Sequence, residues 1–166
     1  MIATIANAQQ ISAISKQTFY QAFNAQNTQA DMALFIASNF NIQATEQEIA
    51  NKSNIFYLAY NNNQLCGYAK VVEKDTSDEF PNTKTLRISR IYVLNTFIGR
   101  GIGNALMQQC LNLAIELGKC IIWLGVWENN ISAIAFYQKW GFEKFSTEIF
   151  VLGNDPQIDW LMKKQL

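Results

Sequence analysis

The chain is 166 residues long, 49% apolar, and carries 13 Lys and Arg against 13 Asp and Glu. Its length suits one domain, residues 1–166, with a single core, and a net charge of zero with scattered basic residues excludes the electrostatic footprint of a nucleic-acid binder. The absence of histidine excludes Ser/His and Cys/His catalysis, argues against a transition-metal site, and leaves acid–base work to Asp, Glu, Tyr, Lys, Cys or bound water.

Ile2 and Thr4 alternate with Ala3 and Ile5, which predicts a first strand over Met1 to Ala6. The same residues lack the basic-then-apolar layout of a secretion signal, and no apolar run approaches a membrane span, so the expected location is cytoplasmic. Ile11, Ile14, Phe19, Ala22 and Phe23 then recur at helical spacing. Thr28 with Asp31 and Thr45 with Glu48 have the spacing of capping boxes and predict two further helix starts. Ile55–Tyr60 and Leu65–Val72 read as an antiparallel hairpin, because Asn61-Asn62-Asn63 between them accepts the positive φ that such a turn demands. The polar segment from Glu73 to Lys84, with Asp78, Glu79 and Pro81, predicts a loop. Its acidity could attract a cationic substrate but is more simply ordinary solvated loop charge.

The chain is organised around the stretch from Leu86 to Gly118. Leu86 and Ile88 alternate in one phase and Ile91 and Val93 in the other, so the strand period slips near Ser89 and Arg90 and predicts a β-bulge. A bulge there leaves peptide groups of Ile91 to Val93 without a ladder partner, free for an extended, amide-bearing ligand. Gly99, Gly101 and Gly103 follow, and then Leu106, Cys110, Leu113, Ala114 and Leu117 mark one helical face ending at Gly118. Alternating glycines at a helix N-terminus suit a pyrophosphate cradle, or simply a tight strand-to-helix turn. The sequence lacks both the Lys-Ser/Thr ending of a P-loop and the last glycine of a dinucleotide fingerprint.

Cys120 to Trp127 is continuously apolar and predicts a strand parallel to the one before it. Cys66, Cys110 and Cys120 are odd in number, lie in apolar segments, and read as buried thiols at neither disulfide nor metal spacing. Asn130 to Lys139 predicts a short helix. Glu143–Leu152 and Asp159–Lys163 predict two strands about a turn at Gly153-Asn154-Asp155-Pro156.

Phe97-Ile98-Gly99-Arg100-Gly101-Ile102-Gly103 with Leu106, followed by Asn130-Ile131-Ser132-Ala133-Ile134-Ala135-Phe136-Tyr137-Gln138-Lys139-Trp140-Gly141-Phe142, resembles the GNAT superfamily of acetyl-CoA-dependent N-acetyltransferases. Within it, Arg90-Ile91-Tyr92-Val93, the run from Trp123 to Asn130 and Phe150-Val151-Leu152-Gly153 look most like the PaiA-type branch, associated with polyamine acetylation. The resemblance implies a layered α/β fold: a mixed, largely antiparallel twisted sheet, a central parallel strand pair splayed at the bulge, and helices on both faces. It implies acetyl-CoA as cosubstrate, no metal, and a small-molecule amine as acceptor.

Carried onto this sequence, the resemblance implies that the amides of Ile98, Gly99, Arg100, Gly101, Ile102, Gly103 and Asn104 hold the coenzyme pyrophosphate. The edge formed by Ile91, Tyr92 and Val93 meets the pantetheine arm, chiefly through Ile91 and Val93. Asn130 binds the coenzyme, and Tyr137 lies near its sulfur as the catalytic acid. Read from the residues alone, Tyr137 is more simply a packed aromatic beside Phe136. Two positions depart from the family pattern: Ile98 stands where a Gln or Arg is usual, and Ser89 where relatives often carry a glutamate, which leaves the general base open. Glu128 or Glu73 acting through water are candidates. Alternative readings are a peptide N-terminus as acceptor, or a coenzyme-binding regulatory module. Trp160 in an aromatic-rich C-terminal segment would suit a homodimer.

Overall fold

The computed structural model describes residues 1–73 and 79–166. Asn54–Asn61 (β1) and Gln64–Val72 (β2) form the expected hairpin, with Asn62 and Asn63 at φ values of 47° and 63° in the turn. Thr85–Val93 (β3) runs antiparallel to β2, and Ile121–Trp127 (β4) runs parallel to β3. Glu143–Leu152 (β5) and Asp155–Gln165 (β6) complete one sheet of order β1-β2-β3-β4-β6-β5 among the described residues.

Helices cover both faces. Ala8–Phe23 (α1), Gln29–Asn39 (α2) and Ile42–Ala50 (α3) precede the sheet in the chain. Ile102–Glu116 (α4) is the crossover between β3 and β4, and Ile131–Lys139 (α5) follows β4. On one face, Leu106, Met107 and Cys110 of α4 and Ile134 of α5 pack on Leu86, Ile88, Ile122 and Leu124. On the other, Ile11 and Ile14 of α1 meet Phe56, Leu58 and Tyr68, while Phe19, Met32, Phe40 and Leu152 form an adjoining cluster. α4 ends as its glycine predicts: Gly118 takes φ 60°, and the N–H groups of Gly118 and Lys119 donate to Ile115 O and Ala114 O.

The bulge lies where the period slips. Lys70 pairs with Arg90 and Val71 with Ile88, so Ser89 has no partner in β2. Parallel pairing of β3 with β4 runs from Thr85 and Ile121 to Ile88 and Leu124 and stops there. Past the bulge β3 stays with β2 while β4 continues beside β6 to Trp127, and the sheet opens between them.

Several expectations are corrected. Met1 to Ala6 makes only an isolated bridge from Ile2 to Tyr57, because Asn7 Oδ1 accepts the Thr4 N–H and draws the chain into a turn. α3 starts at Asn41, whose side chain accepts the Ala44 N–H. Thr45 is already inside the helix and donates its hydroxyl to Asn41 O. Thr28, by contrast, caps α2 as expected by accepting from Asp31 N–H. Cys120 is exposed, one residue before β4 begins, whereas Cys66 and Cys110 are buried. Asp155 and Pro156 belong to β6. Proline is tolerated there because β4 pairs with β6 only from Asp159 onward, so Pro156 has no neighbour to which an N–H would be owed.

Candidate active site

The opening between β3 and β4 leads into a cleft of about 680 Å³ lined from both strands, α1, α2, α5, β5 and β6. Its walls follow from strand alternation. The bond from Leu94 N–H to Cys66 O makes Arg90, Tyr92 and Leu94 the residues whose peptide groups face β2. The peptide groups of Ile91 and Val93 therefore point into the opening. Across it, Glu128 N–H donates to Ile158 O, which places Val126 toward β6 and turns the peptide groups of Gly125 and Trp127 into the opening. Tyr92 contributes no main-chain group to the gap. Its half-buried side chain lies on the α1 side, near Tyr68.

The glycine loop stands at the mouth. Gly99 and Gly101 both take φ 82°, a conformation glycine adopts without a Cβ clash, and no heavy atom lies within 4 Å of where a Cβ would sit on either. The N–H groups of Ile98 and Arg100 close turns on Asn95 O and Phe97 O. Those of Gly99, Gly101, Ile102, Gly103 and Asn104 have no partner among the described residues, and the last three belong to the first turn of α4, where donors are orphaned and the helix dipole favours an anion. An open face carrying five such donors fits a pyrophosphate. At Gly103 a Cβ would lie 3.7 Å from the Phe136 ring, an ordinary contact, so space there does not demand glycine. Gly67, which the sequence did not single out, has a sharper need, since its Cβ would stand 2.9 Å from Tyr92 O and 3.1 Å from Ile102 Cγ2. It lets β2, β3 and the start of α4 close up behind the loop.

Two side chains join α4 to α5. Trp140 Nε1 donates to Asn104 Oδ1 at 3.2 Å, and Asn130 caps α5, its Oδ1 accepting from Ala133 N–H and Ser132 Oγ, each at 3.2 Å. Asn130 and Tyr137 both line the cleft. Tyr137 is 8% exposed, and burial, with the Cys110 sulfur close by, pushes its phenol above the ordinary value. Burial likewise pushes the Cys110 thiol up to about 12.

Opposite the glycine loop the cleft is walled by Phe23, Phe35, Phe150 and Trp127, and its floor is ionic. Glu148 of β5 and Asp159 of β6 are register partners. A Cβ on Gly125 would lie 3.1 Å from Glu148 Oε1 and 3.5 Å from Asp159 Oδ2, so the missing side chain is what admits both carboxylates. Arg87 Nη2 stands 3.5 Å from Glu148 Oε1 and its guanidinium stacks on Trp123. Asp159 Oδ1 is buried without a partner among the described residues. Burial first, then the charge of Glu148, raise the Asp159 carboxyl to about 6 against the opposing pull of Arg87.

Of the residues singled out from sequence, the cleft gathers Ile91, Tyr92, Val93, Ile98, Gly103, Asn130 and Tyr137, with Gly99, Arg100, Gly101, Ile102 and Asn104 in the loop and first turn beside it. Glu73 sits elsewhere, 3.5 Å from Lys119, and Glu79 accepts from Ser146. Glu128 is not part of the lining, and Asp78 lies outside the described residues. Gly125, Glu148 and Asp159 were missed. The one signal for them was a glycine interrupting an otherwise continuous apolar strand.

Known proteins match this architecture and sequence. The sequence model of the Acetyltransferase (GNAT) family matches residues 16–142. An uncharacterized N-acetyltransferase of Lactobacillus delbrueckii subsp. lactis is 38% identical over 154 residues, 93% of this chain and 89% of that protein. The spermine/spermidine N(1)-acetyltransferase of Bacillus subtilis strain 168 is 31% identical over 100 residues, 60% of this chain and 65% of that protein. Among solved structures, the PaiA N-acetyltransferase of Thermoplasma acidophilum, crystallised with coenzyme A, superposes with a TM-score of 0.82 at 17% identity, covering 100% of this chain and 98% of that one.

Proposed function

The chain belongs to the GNAT family of acetyltransferases, which take the acetyl group from acetyl-CoA, and from that premise we propose that it N-acetylates a primary amine, with a polyamine such as spermidine as acceptor. The observation that carries the reading is the cleft itself, with orphaned peptide donors at one end and an aromatic, carboxylate-bearing chamber at the other. The partial match to a spermine/spermidine acetyltransferase supports the choice of acceptor.

In this reading the free amides of the glycine loop and the first turn of α4 hold the pyrophosphate, Ile91 and Val93 pair with the pantetheine arm, and Asn130 adds a side-chain contact. Acetyl-CoA supplies an activated acyl group with a thiolate that can leave. Val93 N–H points into the opening, where it stabilises the negative charge that develops on the acetyl oxygen as the amine adds. Tyr137 donates to the departing sulfur. An ordinary phenol of about 10 against a thiol of about 8.5 makes full proton transfer uphill by roughly 2 kcal/mol, and burial of Tyr137 widens that gap. Tyr137 therefore hydrogen-bonds early and gives up its proton late.

The test is a panel of amines assayed for thiol release from acetyl-CoA. Spermidine is expected to turn over faster than a neutral amine of similar length or a peptide amine, and raising salt should lower its rate, because attraction into a partly wet anionic chamber is screened. A salt-independent spermidine rate, or a faster peptide amine, would refute the polyamine assignment. Binding of the coenzyme without turnover of any amine would favour a regulatory module.

A further inference from the structure

An alkylammonium of pKa about 10.4 carries no lone pair at neutral pH, so the acetylation proposed above needs a group that removes a proton before attack. Ser89 stands at the bulge without a titratable side chain, and Glu73 and Glu128 lie away from the cleft lining. The carboxylates that do face it are Glu148 and Asp159, and their situations differ. Glu148 has Arg87 as a counter-charge at 3.5 Å. Asp159 Oδ1 is buried with no partner among the described residues, in a cleft whose aromatic walls suit the methylenes of an alkyl chain. An unmatched acceptor at such a depth is complementary to an N–H donor brought by a ligand.

We propose that Asp159 is the general base of the reaction, binding the acceptor ammonium on the cleft floor beside Gly125 and taking its first proton. This rests on the amine-acetylation reading. Asp159 carboxylate accepts one proton from R–NH3⁺ to give R–NH2. The nitrogen lone pair forms the C–N bond, the C–S bond breaks, and the electron pair leaves on sulfur. The second proton lost by nitrogen passes through solvent to the Tyr137 phenolate left when Tyr137 protonates the thiolate, and Asp159 returns its own proton to solvent.

The surroundings suit the role. The charged and titratable groups facing Asp159 are Glu148 from β5 and Arg87 and Tyr92 from β3; β4 contributes Gly125, which has no side chain to intervene. With burial, the repulsion from Glu148 lifts the carboxyl to about 6, roughly two units above a free aspartate of about 3.9, which eases proton uptake about a hundredfold while leaving it ionised at neutral pH. Arg87, by neutralising Glu148, keeps the floor from carrying two uncompensated charges. Asp159 and Tyr137 both line the same cleft.

Asp159→Asn tests this with two readouts. In the first, kcat for spermidine at pH 7 is expected to fall by about a hundredfold to ten-thousandfold, with affinity for coenzyme A unchanged. The deficit should shrink as pH approaches the amine's own value of about 10.4, because the acceptor then arrives deprotonated, a convergence that damage to packing would not give. Glu148→Gln should move the acid limb of kcat/KM to lower pH, since it removes a charge that holds Asp159 up. The second readout needs no turnover: calorimetric titration of spermidine into the protein saturated with coenzyme A should show binding to wild type and at least tenfold weaker binding to Asp159→Asn. Wild-type turnover in the variant, or a deficit constant across pH, overturns the assignment. Spermidine binding equal in both proteins, or absent in wild type, overturns it as well. A wild type that turns over no amine yet binds spermidine through Asp159 would sink the enzymatic reading while the ammonium site stood.

Discussion

Glu48 provides a perturbation whose size can be worked from contacts. Its carboxylate accepts from Lys70 Nζ at 2.7 Å and from Arg90 Nη1 and Nη2 at 2.7 and 2.9 Å. The three side chains are 24%, 9% and 16% exposed, and Arg90 also stacks on Phe40. Arg90 is the residue immediately after the bulge, so this triad pins the β3 segment that walls the cleft. Glu48→Gln preserves shape but leaves two sheltered cations facing one another, and turns an amide donor toward one of them. Removing one member of a buried ion pair costs about 3–5 kcal/mol, and the partial exposure of Glu48 reduces this to about 2–4. With an unfolding entropy of about 2.1 cal/mol/K per residue, Tm should fall by roughly 6–11 °C. Burial pushes the Glu48 carboxyl up, but the hydrogen bonds and charges of Arg90 and Lys70 more than offset that and hold it below its usual value. A depressed acid stabilises above its unfolded pKa and loses that contribution as pH falls through its folded one. The gap between wild type and variant should thus be full at pH 7 and close below about pH 4. Thermal melts across pH provide the assay. A Tm change under about 2 °C at pH 7, or a gap that acid leaves intact, would refute the argument.

Two further outcomes concern the coenzyme side. Tyr137→Phe keeps the ring contacts with Phe136 and Phe142, so Tm and coenzyme affinity should hold while kcat drops by roughly tenfold to a thousandfold; lost affinity at full turnover would make Tyr137 a binding residue. Because burial raises the Tyr137 phenol, it stays protonated through the ordinary tyrosine range, and the pH profile should show no tyrosine limb below about pH 10. Gly101→Val meets no atom within 4 Å but forces a β-branched residue to φ 82°, costing about 1–2 kcal/mol. By moving the loop amides it should also weaken coenzyme A binding at least tenfold by calorimetry, roughly the worth of one backbone hydrogen bond. Normal affinity in a folded variant would show that the loop is not the cradle.

What the sequence by itself determined is local. The Asn62-Asn63 turn, the glycine loop, the buried face of α4 with its Gly118 ending, and the phase slip at Ser89 each depend on neighbours within a few residues, where φ preference and periodicity act directly. The parallel placement of β4 followed because a crossover helix leaves few alternatives. Helix starts were less secure: Thr45 and Glu48 have capping spacing, yet Asn41 caps the helix, and Glu48 is drawn to two cations on the sheet. Tertiary structure alone decided the carboxylate-bearing end of the cleft. Arg87 and Glu148 are 61 residues apart, and Glu148 meets Asp159 only through the β5–β6 register, so no short window of sequence distinguishes them from solvated strand charges. The exposure of Cys120 and the direction of each peptide group at the opening were settled the same way. A strand's pattern says which residues alternate, whereas its partners say which side of the alternation faces the gap.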